Sequence, residues 1–247
     1  MTYKIIIQAR LGSTRLKNKM VRPFYEDLTL IEVILTNLLK DFNPSDIVLA
    51  TSKQPENKVL GSISERFGVH VYYGSENDVL SRFIDVCNRD NLDFVVRICA
   101  DNPFIQNSEI KKLIEEYDGE DYVSFFYSDN TPAMKSHSGF FTELVKSDSL
   151  RKVKELTDNE FYFEHVTNYV YENEDIFKIK KLKIKNEDDV KNIRLTIDDE
   201  DDFNLSKTIY KRYVENGLFL TYNTIVGSVI TDNEKEKMIK QIEKNIK

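Results

Sequence analysis

Alternation of short apolar runs with helix-patterned stretches through residue 126 predicts an α/β fold with a mostly parallel central sheet and helices on both faces. Two observations sharpen that expectation. Ile5–Ala9 is apolar apart from Gln8, the pattern of a strand buried on both sides. The loops that follow the expected strands carry the cations, hydroxyls and acids, and ligands of such sheets bind outside the carboxyl ends of the strands.

The elements follow in order. Thr29-Leu-Ile-Glu32 reads as a capping box opening a helix with Ile31, Ile34, Leu35, Leu38 and Leu39 on one face. Asp46–Thr51 reads as a strand, Pro55–Phe67 as a helix ended by Gly68, and Val69–Tyr73 as a third strand. Ser75–Asp78 opens a helix through Asn88, Phe94–Ala100 is a strand, a helix runs to Tyr117, and Tyr122–Phe126 is a further strand. Beyond it, Ser128–Gly139 is a polar loop. Thr157-Asp-Asn-Glu160 is a second capping box, opening a helix that holds Glu164, His165 and Tyr169. Ile176–Ile184 alternates apolar residues with lysines, as an exposed or edge strand does. Ile193–Ile197 reads as a strand ending at Asp198, and helices run from there to the C-terminus.

Composition sets bounds. The chain has 247 residues, 40% of them hydrophobic and 31% charged, which is ordinary for a globular protein. A net charge of −7 argues against nucleic acid as a partner, since neutralising phosphates takes a broad basic face. Two cysteines, Cys87 and Cys99, do not make a disulfide scaffold and are expected reduced inside the core. Neither a signal pattern nor a run approaching about 20 apolar residues occurs, so a cytoplasmic chain without membrane insertion is expected.

Against this acidic background Arg10–Lys19 stands out, with Arg10, Arg15, Lys17 and Lys19, Gly12, and the anion-bonding side chains Ser13, Thr14 and Asn18. A cationic loop at the carboxyl end of a buried strand suits phosphate, although a solvated surface loop is the plainer explanation. It lacks the spacing of a P-loop, and one glycine does not make a dinucleotide fingerprint. Asp101 and Asp198 each follow an apolar run. Two carboxylates there could share Mg²⁺, a hard cation that takes oxygen ligands and bridges substrate phosphates. The alternative is that Asp198 or Asp199 merely caps the next helix. Together, loop and acids describe a nucleoside-triphosphate site.

In chain order stand Gln8-Ala-Arg-Leu-Gly-Ser-Thr-Arg-Leu16, Ala50-Thr-Ser52, Gly74–Phe83 (Gly-Ser-Glu-Asn-Asp-Val-Leu-Ser-Arg-Phe), Val96-Arg-Ile-Cys-Ala-Asp-Asn-Pro-Phe104, Glu164-His-Val-Thr167 and Leu195-Thr-Ile-Asp198. This ordered set, over residues 3 to 205, resembles the cytidylyltransferase family of CMP-sugar synthetases, and within it the branch of spore-coat polysaccharide biosynthesis protein F. The resemblance implies a Rossmann-like, three-layer α/β/α nucleotidyltransferase fold, CTP as nucleotide substrate, Mg²⁺, release of pyrophosphate, a small acidic sugar or phosphorylated acceptor, and a homodimer. It also implies a single domain over residues 1–247, with residues 127–185 as a small β-containing insertion for acceptor and dimer contacts. By the same resemblance, the Gln8, Ala9, Arg10, Leu11, Gly12, Ser13, Arg15 and Lys19 loop holds the triphosphate, and Ala50, Thr51 and Ser52 lie near the base. Asp101 and Asp198 would hold the metal, and Arg10, Arg15 and Lys19 would stabilise departing pyrophosphate. Arg97 is counted with the nucleotide-binding residues; it, Glu164 and His165 match branch positions whose roles are not fixed. The chain departs from the family in having Lys17-Asn18 where Pro-Gly is usual, as in the nonulosonate enzymes, and Asp198-Asp199 for the usual Asp-Thr.

His165 is a candidate base, because an imidazole with an unperturbed pKa near 6.5 titrates in the right range; the alternative is a packed histidine with acceptor or dimer duties. His70 reads as structural and His137 as an acceptor contact. The rival function is a nucleotide-sugar-dependent glycosyltransferase of GT-A-like fold, since Asp199-Glu-Asp201 satisfies an Asp-x-Asp metal pattern. A non-catalytic nucleotide-binding scaffold is a further rival, against which the pairing of Asp101 with Asp198 argues.

Overall fold

β1 (Tyr3–Gln8) is the strand on which the sheet is built. Its Ile5, Ile6 and Ile7 are fully buried, with Ile5 and Ile7 in one apolar layer and Ile6 in the other, as alternation across a strand requires. In this computed structural model, which describes residues 1–185 and 190–245, β1 lies between β4 (Ile47–Ser52) and β6 (Phe94–Cys99), parallel to both. β5 (His70–Gly74) extends the sheet beyond β4 in parallel. On the other side follow β8 (Glu143–Lys146), β7 (Tyr122–Phe126) and β9 (Ile179–Lys183), giving a seven-stranded sheet of order β5-β4-β1-β6-β8-β7-β9. Only β8 runs antiparallel to its neighbours. A two-stranded hairpin, β2 (Pro23–Tyr25) and β3 (Leu28–Thr29), stands apart.

Helices cover both faces, so the predicted mostly parallel α/β sheet is the observed one. α1 (Leu30–Leu38), α2 (Lys58–Arg66), α4 (Asn107–Glu116) and the Glu200–Glu215 helix bury their apolar stripes against the Ile5/Ile7 face. α3 (Val79–Asp90), α5 (Ser147–Leu156) and α7 (Asn168–Glu172) cover the Ile6 face. The Thr29 capping box forms as read: Glu32 accepts from the Thr29 N–H at 2.8 Å. Gly68 ends α2 in the left-handed region at φ +71°, which a side chain would strain. β9 is an edge strand whose lysines pair with acids, Lys180 with Glu116 at 3.0 Å and Lys181 with Glu174 at 2.8 Å.

Three readings need correction. Ile193–Ile197 is not a strand. It is an extended segment whose Leu195 and Thr196 N–H groups donate to the His137 carbonyl, and whose Ile197 N–H donates to the Asp101 carbonyl, so its backbone is satisfied outside any sheet. Thr157 does not build a capping box. Asn159 caps α6 (Glu160–Glu164) by accepting from the Phe161 N–H at 3.0 Å, and the helix breaks at His165 before α7, so Tyr169 belongs to a different helix from Glu164. Cys99 is only partly buried and stands in a cavity wall, whereas Cys87 is in the core as read; both thiols are free. β8 was not foreseen. No helix among the described residues is long and apolar enough to cross a membrane. The last two residues of the expected C-terminal helix lie outside the described residues.

Because Ile6 is packed at the centre of one layer, Ile6→Ala is expected to cost about 2–5 kcal/mol in denaturant unfolding. A loss below about 1 kcal/mol would contradict burial of both sheet faces.

Candidate active site

The register of β1 sets the site. Gln8 pairs with Ala50 on β4 and Cys99 on β6, so the chain leaves β1 beside the ends of both neighbours. The basic loop is then shaped by buried hydrogen bonds. Leu11 N–H donates to Asn57 Oδ1 at 2.8 Å, and Asn57 Nδ2 donates to Ser52 Oγ at 2.7 Å. Asn18 adopts φ 56° and leads into a 3-10 turn, Lys19–Val21. Asn is among the few side chains that enter the left-handed region readily, so Asn18 can take this turn without glycine.

A cavity of about 430 Å³ opens above the strand ends. Gln8, Ala9, Arg10, Gly12, Ser13 and Arg15 line it from the loop; Lys19, Arg97, Asp101 and Asp198 line it from the remaining elements, with Glu164 and His165 at its side. Residues as far apart in the chain as Gln8 and Asp198 thus meet at one cavity. Leu11, Ala50, Thr51 and Ser52 do not line it. All four are buried, Leu11 in the apolar core and Ser52 as the support of Asn57.

Three of the four loop cations face an acid. Arg10 bridges Glu164 at 2.8 Å and Glu76 at 3.5 Å, Arg15 bridges Asp198 at 2.8 Å, and Lys19 Nζ lies 3.7 Å from Asp101 while donating to the Ile197 carbonyl at 2.6 Å. Arg194, 2% exposed, holds Asp198 at 3.0 Å and chelates Asp202 through Nε and Nη2 at 2.8 and 2.7 Å. Asp199 spends its carboxylate capping the Glu200–Glu215 helix by accepting from the Asp202 N–H at 3.0 Å, which leaves Asp198 for the cavity. Asp101 Oδ1 is buried and has no hydrogen-bond partner. An orphaned carboxylate oxygen on a cavity that a second carboxylate also lines fits a divalent cation. Among the described residues no cluster of three or more His, Cys, Asp or Glu could hold a metal, so such a cation would need oxygens brought by the substrate, as Mg²⁺ commonly does.

A second cavity of about 230 Å³ adjoins the first, sharing Arg97, Cys99, Asp101 and His165. Its outer wall is residues 133–139, including Lys135, Ser136, His137 and Ser138, with Thr167 and Asn168 opposite. Gly139 at φ +71° lets this wall lie against the segment leading to Asp198, since a Cβ there would meet Leu195 C and Thr196 N at 3.2 Å. Burial pushes the pKa of both His137 and His165 below 6.5, with Arg194 adding to the effect at His137.

Sequence reasoning did not single out Arg82, Glu143 or Arg194. Arg82 is 1% exposed, donates to the Ala50 carbonyl at 3.3 Å, and leaves Nε and Nη2 unpartnered. Burial and then Arg10 lower its pKa to about 10. It was visible only as one letter of the Gly74–Phe83 motif. Glu143 is fully buried under Arg97, inside a strand that the sequence reading left unassigned. A lone Glu amid Phe140, Phe141, Leu144 and Val145 was the available signal.

An open α/β sheet with a basic loop and Asp101 at its strand ends, and Asp198 on the same cavity, defines a nucleotide-dependent transferase. More narrowly, the chain belongs to the cytidylyltransferase family: the profile of that family, described as cytidylyltransferase, matches residues 4–239. It is 30% identical to the spore coat polysaccharide biosynthesis protein SpsF of Bacillus subtilis, over 84% of this chain and 85% of that one. It is 33% identical to an uncharacterized protein of Methanocaldococcus jannaschii, over 98% of this chain and 94% of the relative. Its fold matches a cytidylyltransferase from Leptospira borgpetersenii with a TM-score of 0.75 and 25% identity, over 99% of this chain and 95% of that chain. The protein is a CTP-dependent nucleotidyltransferase.

The lowered histidines give a pH prediction with a definite sign. Below 6.5 the unfolded chain takes up protons that folded His137 and His165 still refuse, so folding stability is full above that pH and declines as pH falls through the folded midpoints. An NMR titration should place both imidazole midpoints below 6.5; a midpoint above 6.5 for either would contradict the burial argument.

Proposed function

We propose that the protein transfers CMP from CTP to a small acidic sugar or related acceptor and releases pyrophosphate, in surface polysaccharide or glycan biosynthesis. The observation that carries this reading is the single cavity in which Arg10, Arg15 and Lys19 of one loop face Asp101 and Asp198. The triphosphate would exchange with the acids now paired to those cations. Arg15 is well placed to move, with 60% of its side chain exposed. Arg82, with two unpartnered nitrogens beside Ala50, and Thr51, whose buried hydroxyl has no partner, are the donors proposed for the base side.

In the proposed reaction an acceptor hydroxyl oxygen forms a bond to the α-phosphorus. The bond from that phosphorus to the bridging oxygen breaks, and pyrophosphate leaves against Arg10, Arg15 and Lys19. Mg²⁺ held by Asp101 and Asp198 would supply charge screening at the phosphates. His165, on both cavities and neutral above its lowered pKa, is the proposed acceptor of the hydroxyl proton. Residues 127–185 are proposed as the acceptor insertion and as the contact of a homodimer, the latter supported by Phe161, 49% exposed beside the site. We place the enzyme in the cytoplasm, where CTP is available.

A glycosyltransferase using Asp199-Glu-Asp201 finds less support. Asp199 is engaged as a cap, Glu200 pairs with Arg22 at 2.6 Å, and none of the three lines either of these cavities.

Arg15→Ala and Asp101→Ala should each lower pyrophosphate release from CTP by about 10²–10³-fold, the range for loss of one transition-state charge partner, with unchanged circular dichroism. Release at the wild-type rate by either variant would reject the assignment.

A further inference from the structure

Asp198 is held through both of its neighbours in the chain. On one side, the Ile197 N–H donates to the Asp101 carbonyl at 2.9 Å, and the Ile197 carbonyl accepts from Lys19 Nζ at 2.6 Å. On the other, Asp199 is extended, with φ −131° and ψ −173°, and its carboxylate serves two elements. Oδ1 accepts from the Asp202 N–H at 3.0 Å, capping the Glu200–Glu215 helix. Oδ2 accepts from Gln241 Nε2 at 2.6 Å. The first bond is an ordinary cap. The second ties Asp199 to the C-terminal helix (Asp232–Asn245), 42 positions further along the chain.

The C-terminal helix is anchored elsewhere but not packed throughout. Near its start Arg212 donates to both carboxylate oxygens of Glu234 at 2.9 Å, and the Thr231 N–H donates to Glu234 at 2.8 Å. Met238, 1% exposed, enters the core. Between this helix and the Glu200–Glu215 helix lies a cavity of about 620 Å³, lined among others by Arg194, Leu205, Thr208, Met238 and Gln241. Side-chain packing is incomplete there, so the Gln241 bond has no apolar contact to replace it at residue 199.

The same bond accounts for a departure in the sequence. Thr is usual where this chain has Asp199. Both residues cap helices. Thr brings one side-chain oxygen, whereas Asp199 brings two, one for each donor it meets.

Resting on the cytidylyltransferase reading, in which Asp198 holds the metal, we propose that Gln241 is a positioning residue for that site. By tying the C-terminal helix to Asp199 it fixes the backbone that carries the Asp198 carboxylate. Gln241 does not line the active-site cavity and acts through Asp199. Direct partners of a metal ligand typically set about 10–100-fold of metal affinity, and a residue one step further out sets less.

The test is Mn²⁺ binding to the protein–CTP complex, followed by water-proton relaxation, which needs no acceptor. CTP affinity is measured by calorimetry with and without Mg²⁺, and folding by circular dichroism. Gln241→Ala should weaken Mn²⁺ binding by about three- to tenfold, with metal-free CTP affinity within about twofold. Asp199→Thr and Asp199→Asn carry the same charge and both cap, but only Asn keeps a second polar atom for Gln241, whose amide then turns to accept from it. Mn²⁺ should bind the Asn variant about threefold or more tighter than the Thr variant, and adding Gln241→Ala should erase that difference. A merely structural tie would change stability without separating two variants of equal charge. Wild-type Mn²⁺ affinity in Gln241→Ala, or equal affinities in the two Asp199 variants, overturns the proposal while leaving cytidylyl transfer intact. Should Gln241→Ala not fold, the Asp199 pair decides alone. A wild type that binds no CTP with or without Mg²⁺ overturns both, and that result is read from the calorimetry.

Discussion

The site depends on one pairing: β1 in parallel register between β4 and β6, with Gln8 level with Cys99. Because the strands run the same way, the loops after β1 and β6 emerge on the same rim, and Arg10–Lys19 meets Asp101 without any further device. A one-residue slip of β1 would turn Gln8 into the opposite layer and send its isoleucines to the wrong faces. The apolar packing of Ile5, Ile6 and Ile7 that holds the register therefore also aligns the polar cavity.

Charge balance is the second constraint. Arg10, Arg15 and Lys19 are matched by Glu164, Asp198 and Asp101 drawn from distant parts of the chain. Exposed pairs such as Arg15–Asp198 contribute little to stability, on the order of 0–1 kcal/mol, so ligand oxygens can take their place at small cost. Arg194 is different: buried and tied to Asp202, it keeps Asp198 in position whether or not Arg15 departs.

Much of the sheet was legible because its strands are short, apolar and buried on both faces, as Ile5–Ile7 and Phe94–Ile98 are. The basic loop, Asp101 and Asp198 were legible because their chemistry sits at strand or segment ends. Irregular structure was less so. Ile193–Ile197 has a strand's composition, yet its N–H groups bond to the carbonyls of His137 and Asp101, and no sequence pattern encodes such partners. Thr157 was read as the cap of Thr157-Asp-Asn-Glu160, but Asn159 took the role through a two-residue side-chain turn. Glu143 and Arg82 stayed hidden because a buried charge is recognisable only once its partners are in view.

The reversed direction of β8 has a consequence of its own. β7 ends at the rim that carries the site, and β8 begins there, so both ends of the intervening excursion are anchored beside Arg97 and Ser124. An excursion clamped at both feet can lengthen or change composition at an entropic cost that grows only with the logarithm of its length. The fold thus leaves the stretch between β7 and β8 free to vary while the strands that carry the basic loop and Asp101 stay in register.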